Sequence, residues 1–165
     1  MQQPTRLKTM LGAMPVDVQV DATIQLGDFE TSTITKAWTA LCAELKHPSL
    51  DHAVCIRLCS AAESRLLNAE YRGKDKPTNV LSFAADLPAE LEILGDLAIC
   101  WDVVVDEARS QGKAIADHIS HLVVHGLLHL LGYDHEQDDA AQNMEALEKR
   151  VLARLDIADP YRDEG

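Results

Sequence analysis

Five of the seven histidines fall in one run, His118-Ile-Ser-His121-Leu-Val-Val-His125-Gly-Leu-Leu-His129-Leu-Leu-Gly132-Tyr133-Asp134-His135. Residues four apart share one face of a helix, so His125 and His129 can offer two imidazoles to a single ion. Gly132 suits the left-handed conformation that ends a helix, which lets His135 turn back as a third ligand. Three imidazoles at about 2.0–2.1 Å leave a fourth tetrahedral position for water, the arrangement of a catalytic zinc. Imidazole also suits nickel, copper and iron, so other first-row divalent ions stay open. Leu127, Leu128, Leu130 and Leu131 surround the pair. Without a cation, each unsatisfied imidazole nitrogen buried there would cost roughly 1–3 kcal/mol. His121, one turn earlier, and His118, a near-turn before that, can each be a further ligand; the simpler reading has His121 supporting the ligands from behind or packing between helices, and His118 partly exposed. Asp134 either orients an imidazole through its free N–H or is an exposed turn residue.

The spacing His-x-x-x-His-x-x-Gly-x-x-His is similar to that of the metzincin metallopeptidases, in which a glutamate follows the first histidine as general base. Here that position is Gly126. A peptidase on this helix would forgo a base worth typically 10²–10⁴ in rate. A metal-activated water can still attack an electrophile that the metal and a cation polarise together, and a phosphodiester meets that description.

The elements that must position these residues follow from periodicity. Val16 to Val20 and Ala53 to Cys59 alternate as half-buried strands, and Val80–Ala84 and Asp96–Trp101 read as two more. A helix opens at the Thr31-Ser32-Thr33 cluster and carries Ile34, Trp38, Leu41 and Leu45 on one side. Ser60 and Glu63 form a capping box for a second helix ending near Tyr71, with Gly73 at its exit. Asp102–Gln111, Ile115–Leu131 and Gln137–Leu155 complete the helices. About four strands and about five helices in this order predict an α+β fold, a small mixed sheet with helices packed on it and the metal site at the end of a buried helix. The 165 residues read as one domain with a loose tail from Pro160.

The 27 acidic and 15 basic side chains give a net charge of −12, which excludes a broad electrostatic grip on nucleic acid or anionic membrane. The charge is uneven: residues 57–76 carry +2, and residues 134–165 carry −6. No apolar run approaches the roughly 20 residues that span a bilayer, and no signal segment opens the chain, so a cytoplasmic protein without membrane contact is expected. The four cysteines, Cys42, Cys55, Cys59 and Cys100, read as small buried apolar residues rather than a disulfide framework or thiolate metal site.

The block from His125 to His135 resembles the signature of the YbeY family of bacterial metal-dependent endoribonucleases. Leu67-Asn-Ala-Glu-Tyr-Arg72-Gly-Lys74-Asp-Lys76-Pro-Thr-Asn79-Val-Leu-Ser-Phe83 resembles a second block of that family, and Leu94-Gly-Asp-Leu-Ala-Ile99 a third. The resemblance implies an α+β fold with a central sheet, zinc on His125, His129 and His135, and a functional arginine at Arg72. It also implies cleavage of single-stranded RNA in 16S rRNA 3′-end maturation and ribosome quality control. Asn79, where Asp is frequent, and Cys100, where Ser is frequent, depart from the pattern and leave the metal ligands untouched.

From the residues alone, Arg72 near a helix C-terminus gains about 0.3–1 kcal/mol from the macrodipole whatever else it does. With Lys74 and Lys76 it also makes a cationic loop in which a guanidinium can hold a phosphate in two-pronged fashion. The resulting expectation is a zinc-dependent endoribonuclease whose partners are single-stranded RNA, rRNA and the ribosome or its small subunit and associated proteins, with no DNA. Either water or the RNA 2′-hydroxyl can be the nucleophile. The competing expectations are a metallohydrolase of peptides or small substrates and a non-catalytic, metal-stabilised ribosome-assembly factor.

Overall fold

Alternating strands and amphipathic helices assemble as their patterns require in the computed structural model of the chain, which describes residues 15–134 and 136–161. Val16–Val20 (β1), Ala53–Cys59 (β2), Val80–Ala84 (β3) and Ile93–Cys100 (β4) form one sheet of order β1-β2-β4-β3. β1 and β4 run parallel to β2, and β3 runs antiparallel to β4. Among the described residues there are five α-helices, Ser32–Glu44 (α1), Ala61–Arg72 (α2), Trp101–Gln111 (α3), Ile115–Leu130 (α4) and Asp138–Ala153 (α5); the first four contact the sheet, and α5 packs on α1 and α4. This is the mixed α+β arrangement. No helix among these residues is long and apolar enough to cross a membrane.

α4 is the axis of the fold, in contact with α1, α3, α5, β3 and β4. Ile119, Val123, Val124, Leu127 and Leu128 are fully buried and join Ile34, Leu41, Ile56, Leu97 and Ile99 in the main core. That apolar stripe leaves His121, His125 and His129 half-buried on another stripe of the same helix. A smaller cluster of Cys59, Leu81, Ala98 and Cys100, with Leu67 and Phe83 against it, lies between the sheet and α2.

α4 stops at Leu130 and α5 spans Asp138–Ala153, each end within two residues of the periodic reading, and β4 differs at both ends. β4 begins at Ile93 rather than Asp96, because Leu94 bulges out of the pairing with β2 and the strand runs on through Gly95. The φ of Gly95 is +148°, the pairing shifts opposite Ala53 and Val54, and a Cβ on Gly95 would lie 2.3 Å from the Phe83 carbonyl oxygen. β4 also ends one residue early, and Trp101 opens α3. The expected capping box is half made. Ser60 Oγ accepts the Glu63 N–H at 3.2 Å, but the Glu63 carboxylate turns to Arg57, at 2.6 and 2.8 Å. Thr31 makes no side-chain cap.

Candidate active site

α4 places His125 and His129 one turn apart, with their Nε2 atoms 3.1 Å from each other. Two nitrogens on one tetrahedral ion with bonds of about 2.0–2.1 Å stand about 3.3 Å apart, so this pair fits a shared first-row ion. His135 lies outside the described residues. The other nitrogen of His125, Nδ1, donates to Glu148 Oε1 at 2.6 Å. Glu148 comes from α5, is wholly buried, and takes a second hydrogen bond from the Tyr161 hydroxyl on Oε2. Burial pushes the Glu148 carboxyl up, but hydrogen bonds from His121, His125 and Tyr161, with the charge of His121, outweigh it and hold the group at about 2. Glu148 is therefore an ionised acceptor, and His125 carries its proton on Nδ1. That fixes the tautomer whose Nε2 lone pair faces His129.

His121 sits behind this pair, its Nε2 3.6 Å from Glu148 Oε1 and 3.3 Å from the Tyr161 hydroxyl. Donor atoms of His121, His125 and Glu148 all lie within 4.8 Å of one another, so these three also form a group able to hold a metal ion. The two ring nitrogens of His125 thus address two donor sets, Nδ1 the buried carboxylate and Nε2 the open cleft. Asp134 is on the surface, where its Oδ1 accepts the Glu136 N–H at 3.2 Å, an ordinary turn contact. His118 is not partly exposed: it is 4% exposed, with Nε2 2.8 Å from Glu107 Oε1. α3 packs against α4 at that point and brings Glu107 to it, which a reading of one helix could not register.

Arg72 is the last residue of α2, which Gly73 closes at φ +70°. The loop beyond is pinned from beneath by two buried polar side chains. Ser64 Oγ donates to the Thr78 carbonyl and accepts the Thr78 N–H, both at 3.0 Å, while Asn68 Nδ2 donates to the Lys76 carbonyl at 2.8 Å. The loop's own cations are spread differently. Lys74 and Lys76 are exposed and do not line the cleft described next, whereas Arg72 does.

The cleft, of about 720 Å³, follows β3 and is bounded by Tyr71, Arg72, Asn79, Phe83, His125 and His129 among others. Arg57, Arg65, Arg150 and Arg154 are each paired with a carboxylate. Arg72 has no such partner among the described residues, so its guanidinium is available to an anion in the cleft. Asn79 donates through Nδ2 to Glu107 at 3.1 Å. An ionised aspartate at this position would oppose Glu107, so the amide is matched to its neighbour.

Gly126 faces the sheet. A Cβ there would stand 2.8 and 2.9 Å from the two methyls of Leu97, itself 1% exposed. The position that holds the base in the metallopeptidase signature is here occupied by close contact between helix and sheet.

Comparison with known proteins bears on what this constellation serves. The family model described as Endoribonuclease YbeY matches residues 18–156. The chain belongs to the YbeY family. Endoribonuclease YbeY of Chromohalobacter salexigens is 56% identical over 121 residues, 72% of this chain and 79% of that one. The protein of the same name from Stenotrophomonas maltophilia is 45% identical over 159 residues, 93% of this chain and 98% of its own length. The solution structure of TM1509 from Thermotoga maritima, at 24% identity, superposes with a TM-score of 0.51 over 88% of this chain and 99% of that one, and so shares the fold. The span matched by the YbeY model, residues 18–156, contains the positions of Arg72, His125, His129 and Glu148. Sequence reasoning missed Glu148, although one signal was present: a carboxylate set between Met144 and Val151 on the buried stripe of α5.

Proposed function

We propose that this YbeY-family chain is a metal-dependent endoribonuclease, with zinc or another divalent first-row ion on His125, His129 and His135 and Arg72 holding the scissile or an adjacent phosphate. The observation that carries the reading is the shared cleft: a guanidinium with no carboxylate partner among the described residues faces the same space as two imidazoles at ligand spacing. The names of the relatives supply the substrate class, RNA. A bound divalent ion would polarise a phosphate oxygen and activate a nucleophile there.

The chain's own groups do the rest. Arg72 offers paired N–H donors to the phosphate and opposes the charge that builds on it in the transition state. Glu148 keeps the His125 proton on Nδ1, and Tyr161 keeps Glu148 in place. Single-stranded RNA fits a cleft along a sheet edge with few cations, and the −12 charge favours delivery of substrate on the small ribosomal subunit during 16S rRNA 3′-end maturation and quality control. Compaction of Gly126 against Leu97 weighs against the peptidase alternative.

The test pairs metal analysis with cleavage of a defined single-stranded RNA by wild type, His129→Ala and Arg72→Ala. Loss of bound metal and of cleavage in the first variant, with loss of cleavage but retained metal in the second, is expected. Cleavage undiminished in both would sink the assignment. The product ends separate the nucleophiles, since attack by the 2′-hydroxyl leaves a 2′,3′-cyclic phosphate and attack by water leaves a linear one.

A further inference from the structure

The cleft has two unlike walls. β3 is the last strand of the sheet, and its side chains alternate across it. Ser82 turns toward α4, with Oγ 3.4 Å from the Gly126 carbonyl, while Leu81 and Phe83 turn toward the α2 side, in the smaller cluster. The two faces of the sheet therefore meet the same cleft at this edge. One contributes His125 and His129. The other contributes Tyr71, Arg72 and Phe83.

Tyr71 is only lightly packed, at the edge of the smaller cluster. It is 61% exposed in a chain that is only 4% aromatic, and its hydroxyl makes no hydrogen bond among the described residues. Among the described residues its one aromatic contact is Phe83, ring centroids 5.0 Å apart at 65°, an edge-to-face arrangement that braces the ring and leaves most of it open. The other strongly exposed apolar residue of α2, Leu66, is five positions away, about 140° around the helix, so the two do not form one apolar patch.

We propose that Tyr71, braced by Phe83, is a stacking platform for one nucleobase of the single strand, next to the phosphate held by Arg72. The inference rests on the ribonuclease reading and deepens it. It also answers a difficulty that reading leaves: a chain of charge −12 with one arginine in the cleft holds RNA weakly by charge. Stacking on an aromatic ring is independent of net charge and tolerant of sequence. By alanine substitution it is worth roughly 5- to 150-fold in affinity per base.

The experiment measures cleavage of one short single-stranded RNA by wild type, Tyr71→Ala and Tyr71→Phe, on the intact strand and on strands made abasic at one nucleotide at a time around the cut. Thermal unfolding confirms that the variants fold. Tyr71→Ala is expected to raise KM roughly 5- to 150-fold with a much smaller change in kcat, and Tyr71→Phe, which keeps the ring, to stay near wild type. One abasic position should cost wild type a similar factor and cost Tyr71→Ala nothing further. A wild-type KM in Tyr71→Ala would overturn the platform, as would a Tyr71→Phe defect equal to that of alanine. Losses that multiply at every abasic position would do the same. Failure of wild type to cleave or bind any RNA would instead overturn the ribonuclease reading, and the platform with it.

Discussion

Glu148 Oε1 and His125 Nδ1 are 2.6 Å apart, and Glu148 has no exposed surface. A buried, ionised carboxylate aimed at one nitrogen of an imidazole decides what the other nitrogen can do. Here it leaves the His125 Nε2 lone pair facing His129, 3.1 Å away. α5 thus acts on the cleft through the back of α4, without lining the wall that holds Arg72.

Glu148→Gln keeps the size of the side chain and one acceptor oxygen but removes the charge. Partners of this kind behind a metal-bound histidine are worth about 10–100-fold in metal affinity. A loss of that size is expected in a zinc competition titration. Tyr161→Phe should produce a smaller loss, because it removes only the hydrogen bond that holds Oε2. Unchanged zinc affinity in Glu148→Gln would show that the carboxylate is merely a packing partner.

Arg72→Ala should cost no more than about 1 kcal/mol of stability, the macrodipole contribution, since the side chain is exposed and makes no ion pair among the described residues. Cleavage should nevertheless fall roughly 10²–10³-fold in kcat, the usual effect of removing one preorganised donor from developing charge. Arg72→Lys keeps the charge without the planar fork and should lie between the two. Single-turnover rates at saturating RNA provide the measurement.

Gly126→Ala tests the contact between helix and sheet. Helix propensity alone favours alanine by about 0.8–1.0 kcal/mol, so a solvent-facing site would be stabilised. The new methyl would meet Leu97 at 2.8 Å in a packed core, and overpacking costs about 1–3 kcal/mol. A net loss of up to about 2 kcal/mol in urea unfolding is expected. Gly126→Glu would put a carboxylate against the same buried leucine and should abolish folding rather than create a peptidase.

The order of strands and helices was legible because each carries its own period, and so was the pairing of His125 with His129, which needs only one helical turn. What lay beyond reach depends on distant packing. Glu148 is 23 residues from His125, and nothing in the sequence brings α5 behind α4 at that register. Tyr161 follows Pro160, where a loose tail was expected, yet its hydroxyl is held by Glu148. Gly95 reads locally as a strand break, and only the neighbouring β3 carbonyl shows why the strand continues through it. His118 was expected in partial contact with solvent because the approach of Glu107 from α3 has no local signature.

The cysteines give the pH dependence. Burial pushes the Cys59 thiol up to about 12 and the Cys42 thiol up to about 11, and it raises Cys55 and Cys100 as well. The thiolate is the reactive form, and an ordinary cysteine has a pKa of about 8.5. At pH 8 iodoacetamide should therefore leave Cys59 and Cys100, both fully buried, unmodified in the folded protein, and should label the half-buried Cys42 and Cys55 slowly. All four should react once the chain is unfolded. The sign for stability follows from the same shifts. The unfolded chain ionises its thiols first as pH rises past about 8.5, so stability should decline from there toward pH 12, the direction opposite to a carboxylate with a depressed pKa. Mass spectrometry of labelled peptides checks the first expectation. Rapid labelling of Cys59 at pH 8 without unfolding would show that the cluster beneath α2 opens locally.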